Sequence, residues 1–226
     1  MASLQDHIAV LPERLLDGLQ YKLRDTANYV LRKDQSTAFP ASGNTFSPTG
    51  IRVLRFNLAN VGYLVPESVR VNCSFNNKDN AANHEVKPLG TMSSMFSRMR
   101  ILCGGVIIED IVEFSRVNAM LQKLMSPQAL IDLSNESFPV NVEDLSCEPA
   151  AGEWKFETVP AGKSKRIQMP LFASGLFSQD KVLPLRVLNN LVIELELTPD
   201  KKSWISTAGN HSDDYDLTDI SLKWTY

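Results

Sequence analysis

The chain has 226 residues, 43% of them hydrophobic and 22% charged, an ordinary globular composition that suits one large domain or two small ones. Its 23 Lys and Arg residues against 26 Asp and Glu leave a net charge of −3, which argues against a strongly basic protein that holds nucleic acid by neutralising phosphates. The three cysteines, Cys73, Cys103 and Cys147, form no CxxC pair and have no neighbouring histidine, which disfavours a disulfide framework and a structural zinc site.

Residues 1–26 are interpreted as an N-terminal arm. Asp6, Glu13 and Arg14 interrupt its apolar stretches, so we expect neither a signal peptide nor a transmembrane helix there. Five basic residues against four acidic ones in the first 33 positions do not make a basic genome-binding arm. The aliphatic residues of the arm are spaced for short amphipathic segments: Leu4, Ile8, Leu11, Leu15, Leu16 and Leu19. Such segments would dock either on this domain or on a neighbouring subunit, and the sequence leaves both open.

Alternation of apolar and polar residues dominates the rest of the chain and predicts half-buried β-strands. In the run from 191 to 197, four aliphatic residues share one face while Glu194 and Glu196 lie on the other, and the C-terminal run repeats this pattern. Eight runs are principal strand candidates: Asn28–Arg32, Ile51–Asn57, Val69–Phe75, Ser97–Cys103, Val106–Ile111, Ser164–Pro170, Leu191–Leu197 and Leu217–Tyr226.

Gly104-Gly105 predicts a tight hairpin between the fourth and fifth candidates, because a two-residue primed turn needs positive φ at both positions. The predicted register pairs Cys103 with Val106, Leu102 with Ile107, Ile101 with Ile108, and Arg100 with Glu109. It would place Ile101, Cys103, Val106 and Ile108 on one apolar face. The opposite charges of Arg100 and Glu109 would then lie across from each other, a pair worth roughly 0.2–1 kcal/mol.

Helical spacing follows the hairpin, and residues 112–159 are interpreted as a helical and loop insertion. Apolar residues recur three and four positions apart from Phe114 to Leu124, and Asp110 with Glu113 forms a D-x-x-E capping pattern before them. A second short helix is predicted from Ser126 as N-cap, with Pro127 in the first helical position.

Eight antiparallel strands with long connections predict a two-sheet jelly-roll sandwich spanning residues 27–226. In a jelly roll the first strand pairs with the eighth, the second with the seventh, the third with the sixth and the fourth with the fifth. Only the fourth and fifth can share a short hairpin, and this is where Gly104-Gly105 lies. The predicted fold class is therefore all-β.

The residues that would carry catalysis are scarce. His7, His84 and His211 are the only histidines and lie in predicted loops or termini, which disfavours a nucleophile paired with a histidine base. Cys73 and Cys103 are interpreted as small buried hydrophobes rather than reactive thiols.

Asp213, Asp214 and Asp216 bring carboxylates together in HSDDYD, a loop that offers calcium ligands but lacks the D-x-[DN]-x-[DN]-G pattern. A solvated acidic loop is favoured. Gly104-Gly105 precedes a strand rather than a helix, which disfavours a phosphate-binding loop. We therefore expect no catalytic, cofactor-binding or metal-binding residues, and no cofactor.

Two blocks resemble the first half of the double jelly-roll major capsid proteins, above all the hexon-like proteins of polinton and adintovirus-like elements and related eukaryotic DNA viruses. They are FSRMRILCGGVIIEDIVEFSRVNAMLQKL (Phe96–Leu124) and MPLFASGLFSQDKVLPLRVLNNLVIELEL (Met169–Leu197). In the second, as in that family, a loop with Leu-Pro precedes the seventh strand. The closing LTDISLKWTY is similar to the eighth strand of the same barrel, so the resemblance extends over residues 29–226.

The resemblance implies a structural subunit of an icosahedral viral shell with no enzymatic activity. Its partners would be further copies of itself, in a trimeric or pseudo-hexameric capsomer, and other capsid proteins. The insertion 112–159 would make contacts between barrels. The resemblance implies a location in the virion after assembly inside the host cell, with no sequence-specific nucleic acid, no membrane insertion and no small-molecule substrate.

Two alternatives stay open. The family carries two barrels in one chain, so this sequence is either the first-barrel portion of a longer product, which we favour, or a single-barrel relative such as a penton-like vertex protein. A rival class is a cellular jelly-roll binding module, carbohydrate-binding or cytokine-like, which would show exposed aromatic residues on a concave sheet or a calcium site. A cupin-type enzyme would need histidines clustered on facing strands, which three scattered histidines disfavour.

Overall fold

The computed structural model describes residues 33–59, 62–81, 84–140, 156–188, 190–200, 204–205 and 212–226. Contacts divide the chain into two units, Met1–Lys33 and Asp34–Tyr226, and the second contains the elements described below. The N-terminal arm and the predicted strand Asn28–Arg32 lie outside the described residues. The proposed domain bounds stay a prediction.

The described part of the chain contains ten strands and two α-helices. The strands are β1 (Gln35–Ala38), β2 (Val53–Asn57), β3 (Tyr63–Leu64), β4 (Arg70–Asn77), β5 (Phe96–Cys103), β6 (Val106–Val112), β7 (Ser164–Pro170), β8 (Leu183–Pro184), β9 (Leu191–Leu197) and β10 (Tyr215–Thr225). The helices are α1 (Phe114–Lys123) and α2 (Pro127–Asn135). Neither helix is long and apolar enough to cross a membrane.

The strands form two four-stranded antiparallel sheets and one small ribbon. The first sheet has the order β1-β10-β4-β7, the second has the order β2-β9-β5-β6, and β3 pairs with β8. The predicted pairings of the second strand with the seventh, the third with the sixth and the fourth with the fifth are present as β2–β9, β4–β7 and β5–β6, so the all-β jelly-roll prediction is confirmed. The predicted pairing of Asn28–Arg32 with the eighth strand lies outside the described residues. The strand that pairs with β10 is Gln35–Ala38.

The inward faces of the central strands supply much of the core. Val71, Cys73 and Phe75 on β4 are fully buried, and so are Ile193 and Leu195 on β9. Each fully buried side chain of this size stabilises the folded state by about 1.5–3 kcal/mol relative to exposure. The period-two pattern therefore reports which side of each strand faces the other sheet.

The β5–β6 hairpin forms at the predicted turn but with a different register. Gly104 and Gly105 have φ values of 58° and 84°, and the two pairs nearest the turn match the prediction. Beyond Leu102 a β-bulge at position 108 shifts the strands, so the predicted partners Ile101 with Ile108 and Arg100 with Glu109 are wrong. The observed pairs are Ile101 with Glu109 and Arg100 with Asp110. A bulge adds one residue to one strand and re-aims the side chains beyond it.

The predicted apolar face of this hairpin is also wrong. Ile101 is buried, Cys103 is half-buried, and Val106 and Ile108 are exposed. Every residue from Leu102 to Ile108 is half-buried or exposed, so the turn end of this hairpin lies beyond the part of the sheet that is covered.

The two helices lie in the connection between β6 and β7, within the predicted insertion, of which residues 141–155 lie outside the description. The predicted capping pair of α1 is wrong: Asp110 is still within β6, and the N-cap Glu113 has φ 58° and makes no side-chain cap bond. For α2 the prediction is confirmed, since the Ser126 hydroxyl accepts a hydrogen bond from the Ala129 N–H at 3.3 Å and Pro127 opens the helix.

Candidate functional site

His84 lies in the loop after β4 and contacts a carboxylate. Its Nδ1 is 2.8 Å from Asp79 Oδ2. The pKa of Asp79 is lowered, first by the hydrogen bond from the Ala81 N–H and then by the bond to His84. The Ser212 side chain bonds to Asp79, and the contacts of the described residues bring no hydroxyl or thiol to the His84 ring. His7 and His211 lie outside the described residues.

The two described cysteines differ in environment. Cys73 is fully buried on β4, and burial raises the pKa of its thiol well above the usual range. Such a thiol is neutral at physiological pH and unreactive, as the sequence interpretation expected. Cys103 is only half-buried at the end of β5, and Cys147 lies outside the described residues.

The three aspartates of the HSDDYD loop do not act as one group. Asp216 is buried and accepts a hydrogen bond from Asn76 Nδ2 at 2.7 Å, and Lys78 Nζ lies 3.0 Å from it. Asp213 and Asp214 are exposed. Across the described ranges, no group of three His, Cys, Asp or Glu side chains is placed to hold a metal ion. The absence of any functional metal, cofactor or catalytic residue stays a prediction.

The outer face of the first sheet is polar and shallow. Asn72 of β4, Gln168 of β7, and Lys223 and Thr225 of β10 line a depression of about 230 Å³. Small-molecule sites in proteins are roughly 300–1,000 Å³ and mostly apolar. The guanidinium of Arg70, which borders the depression, already donates to the Glu67 carbonyl at 2.6 Å and lies 3.3 Å from Glu136. This face therefore lacks the apolar, enclosed character of a ligand pocket.

The outer face of the second sheet is charged, and its charges are paired. Arg98 donates two hydrogen bonds to Asp110, at 2.8 and 2.6 Å. Glu194 on β9 lies between two arginines, 3.1 Å from Arg100 and 3.6 Å from Arg55. The hydrogen bond from Arg98 lowers the pKa of Asp110. Charges satisfied within the subunit do not need partners from outside it.

Three of the four edge strands are covered, short or interrupted. Along β2, the Ala41 N–H donates to the Arg55 carbonyl at 2.8 Å and the Ser42 hydroxyl to the Val53 carbonyl at 2.7 Å. On β7, the Gln168 N–H donates a hydrogen bond to the Glu136 carbonyl at 2.8 Å. The strand ends in Pro170, which has no N–H. Strand β1 has only four residues, with the sequence QSTA. Natural proteins blunt exposed sheet edges in these ways.

Strand β6 is the exception, and we call its exposed apolar residues the open edge. They are Val106 (67% exposed), Ile107 (48%), Ile108 (49%) and Val112 (61%). Among the described residues, β5 is the strand that pairs with β6, and no backbone hydrogen bond joins its other edge. A seven-residue edge with four large aliphatic side chains in water favours contact with another protein surface.

Glu109 ties this edge to the chain that follows β7. Its carboxylate accepts hydrogen bonds from the Ser174 hydroxyl at 2.6 Å and from the Gly175 N–H at 2.8 Å. A third bond comes from the Leu176 N–H at 3.3 Å. The bulge at position 108 therefore has a local consequence, because it directs Glu109 to this loop while Asp110 reaches Arg98. Strands β6 and β7 thus lie along one flank of the sandwich.

The sequence interpretation assigned part of the open edge to the core and missed it as a surface. The sequence contains the aliphatic run Val106-Ile107-Ile108, but such a run is typical of a buried strand. The predicted strand order could have indicated this surface, because the fifth strand of a jelly roll lies at the edge of its sheet.

An aromatic cluster joins two of the long connections, through Phe138 and Trp204, to strands β4 and β10 of the first sheet. Phe75 stacks on Tyr215 with ring centroids 5.1 Å apart and meets Phe138 edge-on at 5.6 Å. Trp204 Nε1 donates to Tyr215 Oη at 3.3 Å. Burial raises the pKa of the Tyr215 phenol. These ring contacts therefore hold the two connections against the first sheet.

Comparison with known proteins gives likenesses among solved structures. No family model matches the sequence, and no curated protein matches it. The quasi-atomic model of the PBCV-1 virus capsid is similar with a TM-score of 0.56 and 14% identity, over 91% of this chain and 44% of that chain. PBCV-1 VP54, fitted into a reconstruction of the virophage Sputnik, is similar with a TM-score of 0.44 and 14% identity, over 90% of this chain and 44% of that chain. The Faustovirus major capsid protein is similar with a TM-score of 0.43 and 7% identity, over 93% of this chain and 57% of that chain.

The likeness is one of fold. The first of these comparisons spans nearly the whole of this chain, so the chain shares its fold with a protein of the PBCV-1 capsid over that length. This chain spans less than half the length of the PBCV-1 capsid chain.

Proposed function

We propose that this chain is a structural subunit of a viral capsid, a jelly-roll building block that assembles with further copies of itself and has no catalytic role. The observation that carries the proposal is the jelly-roll strand order of both sheets, together with a likeness of fold to the PBCV-1 capsid that covers 91% of this chain. Fold alone does not imply function, so the surfaces of the subunit carry the second part of the argument.

Those surfaces suit association better than chemistry. The described histidine is bonded to Asp79, Cys73 is buried, and the depression on the first sheet is polar and small. The open edge, in contrast, exposes aliphatic side chains along a whole strand. Burial of such side chains against another subunit is the main favourable term in protein association.

The proposed partners are further copies of this chain and other capsid proteins, in a trimeric or pseudo-hexameric capsomer of an icosahedral shell. The chain spans 44% of the PBCV-1 capsid chain, so we propose that a second barrel, from the same product or from another copy, completes the unit. The net charge of −3 supports contact with proteins rather than sequence-specific binding of nucleic acid. The proposed location is the virion, after assembly in the host cell.

The oligomeric state of the purified chain tests this proposal. Light scattering coupled to size-exclusion chromatography is expected to give a closed oligomer of three or more 25.2 kDa chains, and negative-stain images should show rings or shells. A clean monomer at micromolar concentrations, unchanged by salt or crowding, contradicts the proposal. The mass of the natural product answers the one-barrel question, since a value near twice 25.2 kDa indicates two barrels.

The binding-module alternative has its own test. If the subunit instead recognised a glycan through calcium, Asp213→Asn with Asp214→Asn would abolish calcium-dependent binding on a glycan array. We expect no calcium-dependent binding in either the wild type or the variant, because the third carboxylate, Asp216, is already bonded to Asn76 and Lys78.

A further inference from the structure

Two basic side chains face each other across the outer face of the first sheet. Arg70 of β4 and Lys223 of β10 are direct cross-strand partners in the register of these two strands. Side chains at such positions have Cβ atoms about 4.5–5.5 Å apart, and like charges there destabilise a sheet. The pairing is therefore unfavourable unless an anion lies near both groups.

The second sheet arranges its cross-strand charges in the opposite way. Glu194 of β9 is the direct partner of Arg55 on one side and of Arg100 on the other. Ion pairs of 3.6 and 3.1 Å join its carboxylate to the two arginines. The like-charge pair of the first sheet therefore departs from the pattern of the second.

Both cations of the like-charge pair keep donors for a ligand. Nη1 of Arg70 donates to the carbonyls of Glu67 and Val69, at 2.6 and 3.2 Å, and its Nε lies 3.3 Å from Glu136. Within the part of the chain that the structure describes, no hydrogen bond or ion pair reaches Nη2 of Arg70 or the exposed Nζ of Lys223.

The polar depression of about 230 Å³ lies over this pair, and both cations line it. The other lining residues carry amides, hydroxyls and one indole: Gln35, Asn72, Gln168, Ser68, Thr225 and Trp224. Asn72 and Gln168 are direct cross-strand partners, so their two amides lie side by side, one position along the same face from Arg70. The depression therefore combines two cations with adjacent amides, and no carboxylate is among these lining residues.

We propose that this depression binds an acidic saccharide. Its carboxylate or sulfate group lies between Arg70 and Lys223, and its hydroxyl groups lie on the amides of Asn72 and Gln168. The cations select an oxyanion, since charge-assisted hydrogen bonds to oxyanions are the strong ones. The site is separate from the HSDDYD loop and needs no calcium.

The amides decide between classes of anion. Each amide has two donors and an acceptor oxygen, and sugar hydroxyl groups, which both donate and accept, match all of them. Inorganic sulfate and the carboxylates of an acidic peptide offer only acceptors. The polar lining disfavours an apolar ligand.

Isothermal titration calorimetry on the full chain tests the site. The probe is a chondroitin sulfate tetrasaccharide, which carries both carboxylate and sulfate groups. Neutral chitotetraose, inorganic sulfate and a tetraglutamate peptide are the comparison ligands. The wild type should bind the acidic tetrasaccharide at least about tenfold more tightly than each of the three, because each comparison ligand lacks either the oxyanion or the hydroxyl groups.

Three variants locate the binding. Lys223→Gln keeps the length of the side chain, removes one cation and should raise the Kd by about tenfold, the effect of losing one charge-assisted hydrogen bond. Lys123→Gln, the matched control, removes the same charge from an exposed lysine of α1 and should leave the Kd unchanged. The double variant Asn72→Ala with Gln168→Ala should weaken binding of the tetrasaccharide and not that of sulfate. Circular dichroism checks that each variant folds.

The contradicting results are distinct from one another. Absence of binding at millimolar tetrasaccharide, or equal weakening by Lys223→Gln and Lys123→Gln, overturns the site. Sulfate bound as tightly as the tetrasaccharide, with no effect of the amide variant, overturns the saccharide in favour of a simple oxyanion. Tetraglutamate bound more tightly overturns it in favour of an acidic protein. The capsid proposal is independent of all of these, because the oligomeric state tests it.

Discussion

The aromatic cluster and the open edge use apolar residues for different ends. Phe75, Trp204 and Tyr215 are essentially fully buried and contact one another within the subunit. On β6, Ile107 and Ile108 are about half exposed. Both regions are apolar, but the first is enclosed within the subunit and the second lies on its surface. Stability of the subunit and its association should therefore be separable by mutation.

The largest expected effect is on the aromatic cluster. Phe75→Ala removes a ring that contacts Phe138, Trp204 and Tyr215, and we expect the free energy of unfolding to fall by about 3–5 kcal/mol, as for other Phe to Ala changes in cores. Urea denaturation followed by tryptophan fluorescence measures it. Tyr63→Ala, an exposed aromatic, is the control and should change it by less than about 0.5 kcal/mol. Equal effects of the two changes would contradict the assignment of the cluster to the core.

Most of the nested strand order could be predicted from the sequence, because period-two patterning and the paired glycines act locally, whereas β1 and the β3–β8 ribbon were not predicted. The inward residues of β4 and β9 followed directly from alternation. The register of the β5–β6 hairpin could not, since the bulge at position 108 leaves no local mark in the sequence, and Glu109, the residue after it, bonds to a residue 65 positions further along the chain. The open edge was missed for a related reason: an aliphatic run reports burial only where another layer of the protein covers the strand, and the run at 106–108 is exposed.

The second largest effect is expected at Glu109. Glu109→Ala leaves the hydroxyl of Ser174, a fully buried residue, and the N–H of Gly175 without their acceptor. Loss of one partner of a buried polar group costs about 1–3 kcal/mol, measured as a fall in the free energy of unfolding. Hydrogen exchange at Gly175 should also increase.

A matched change separates the Glu109 bonds from a general effect of removing a carboxylate. Glu67→Ala alters an exposed glutamate and should leave both the stability and the exchange of Gly175 unchanged. Unchanged exchange in Glu109→Ala would show that the loop holds its position without Glu109.

A smaller effect is expected from the ion pair on the outer face of the second sheet. Arg98 lowers the pKa of Asp110 below the ordinary value of 3.8. Stability from this pair is therefore fully present above that value and is lost as the pH falls through the lower pKa of the folded state. Because both side chains are partly exposed, the contribution is at most about 1 kcal/mol. Stability measured against pH in Asp110→Asn should lose this acid-dependent part, and a curve identical to the wild type would contradict it.

The smallest effect on subunit stability is expected at the open edge. Here an exposed and a buried isoleucine of the same hairpin can be compared directly. Ile107→Thr should change the free energy of unfolding of the monomer by no more than about 0.5 kcal/mol, because Ile107 is 48% exposed. Ile101→Thr, the same change at a fully buried position of β5, should cost several times more, since it buries a hydroxyl in the core. The measurement is made at protein concentrations too low for assembly, where association does not add to stability.

At higher concentrations the melting temperature of the wild type should rise with protein concentration, and that of Ile107→Thr should rise less, because the substitution weakens the contact with another subunit. A large destabilisation of monomeric Ile107→Thr would place this side chain in the fold of the subunit rather than on a contact surface.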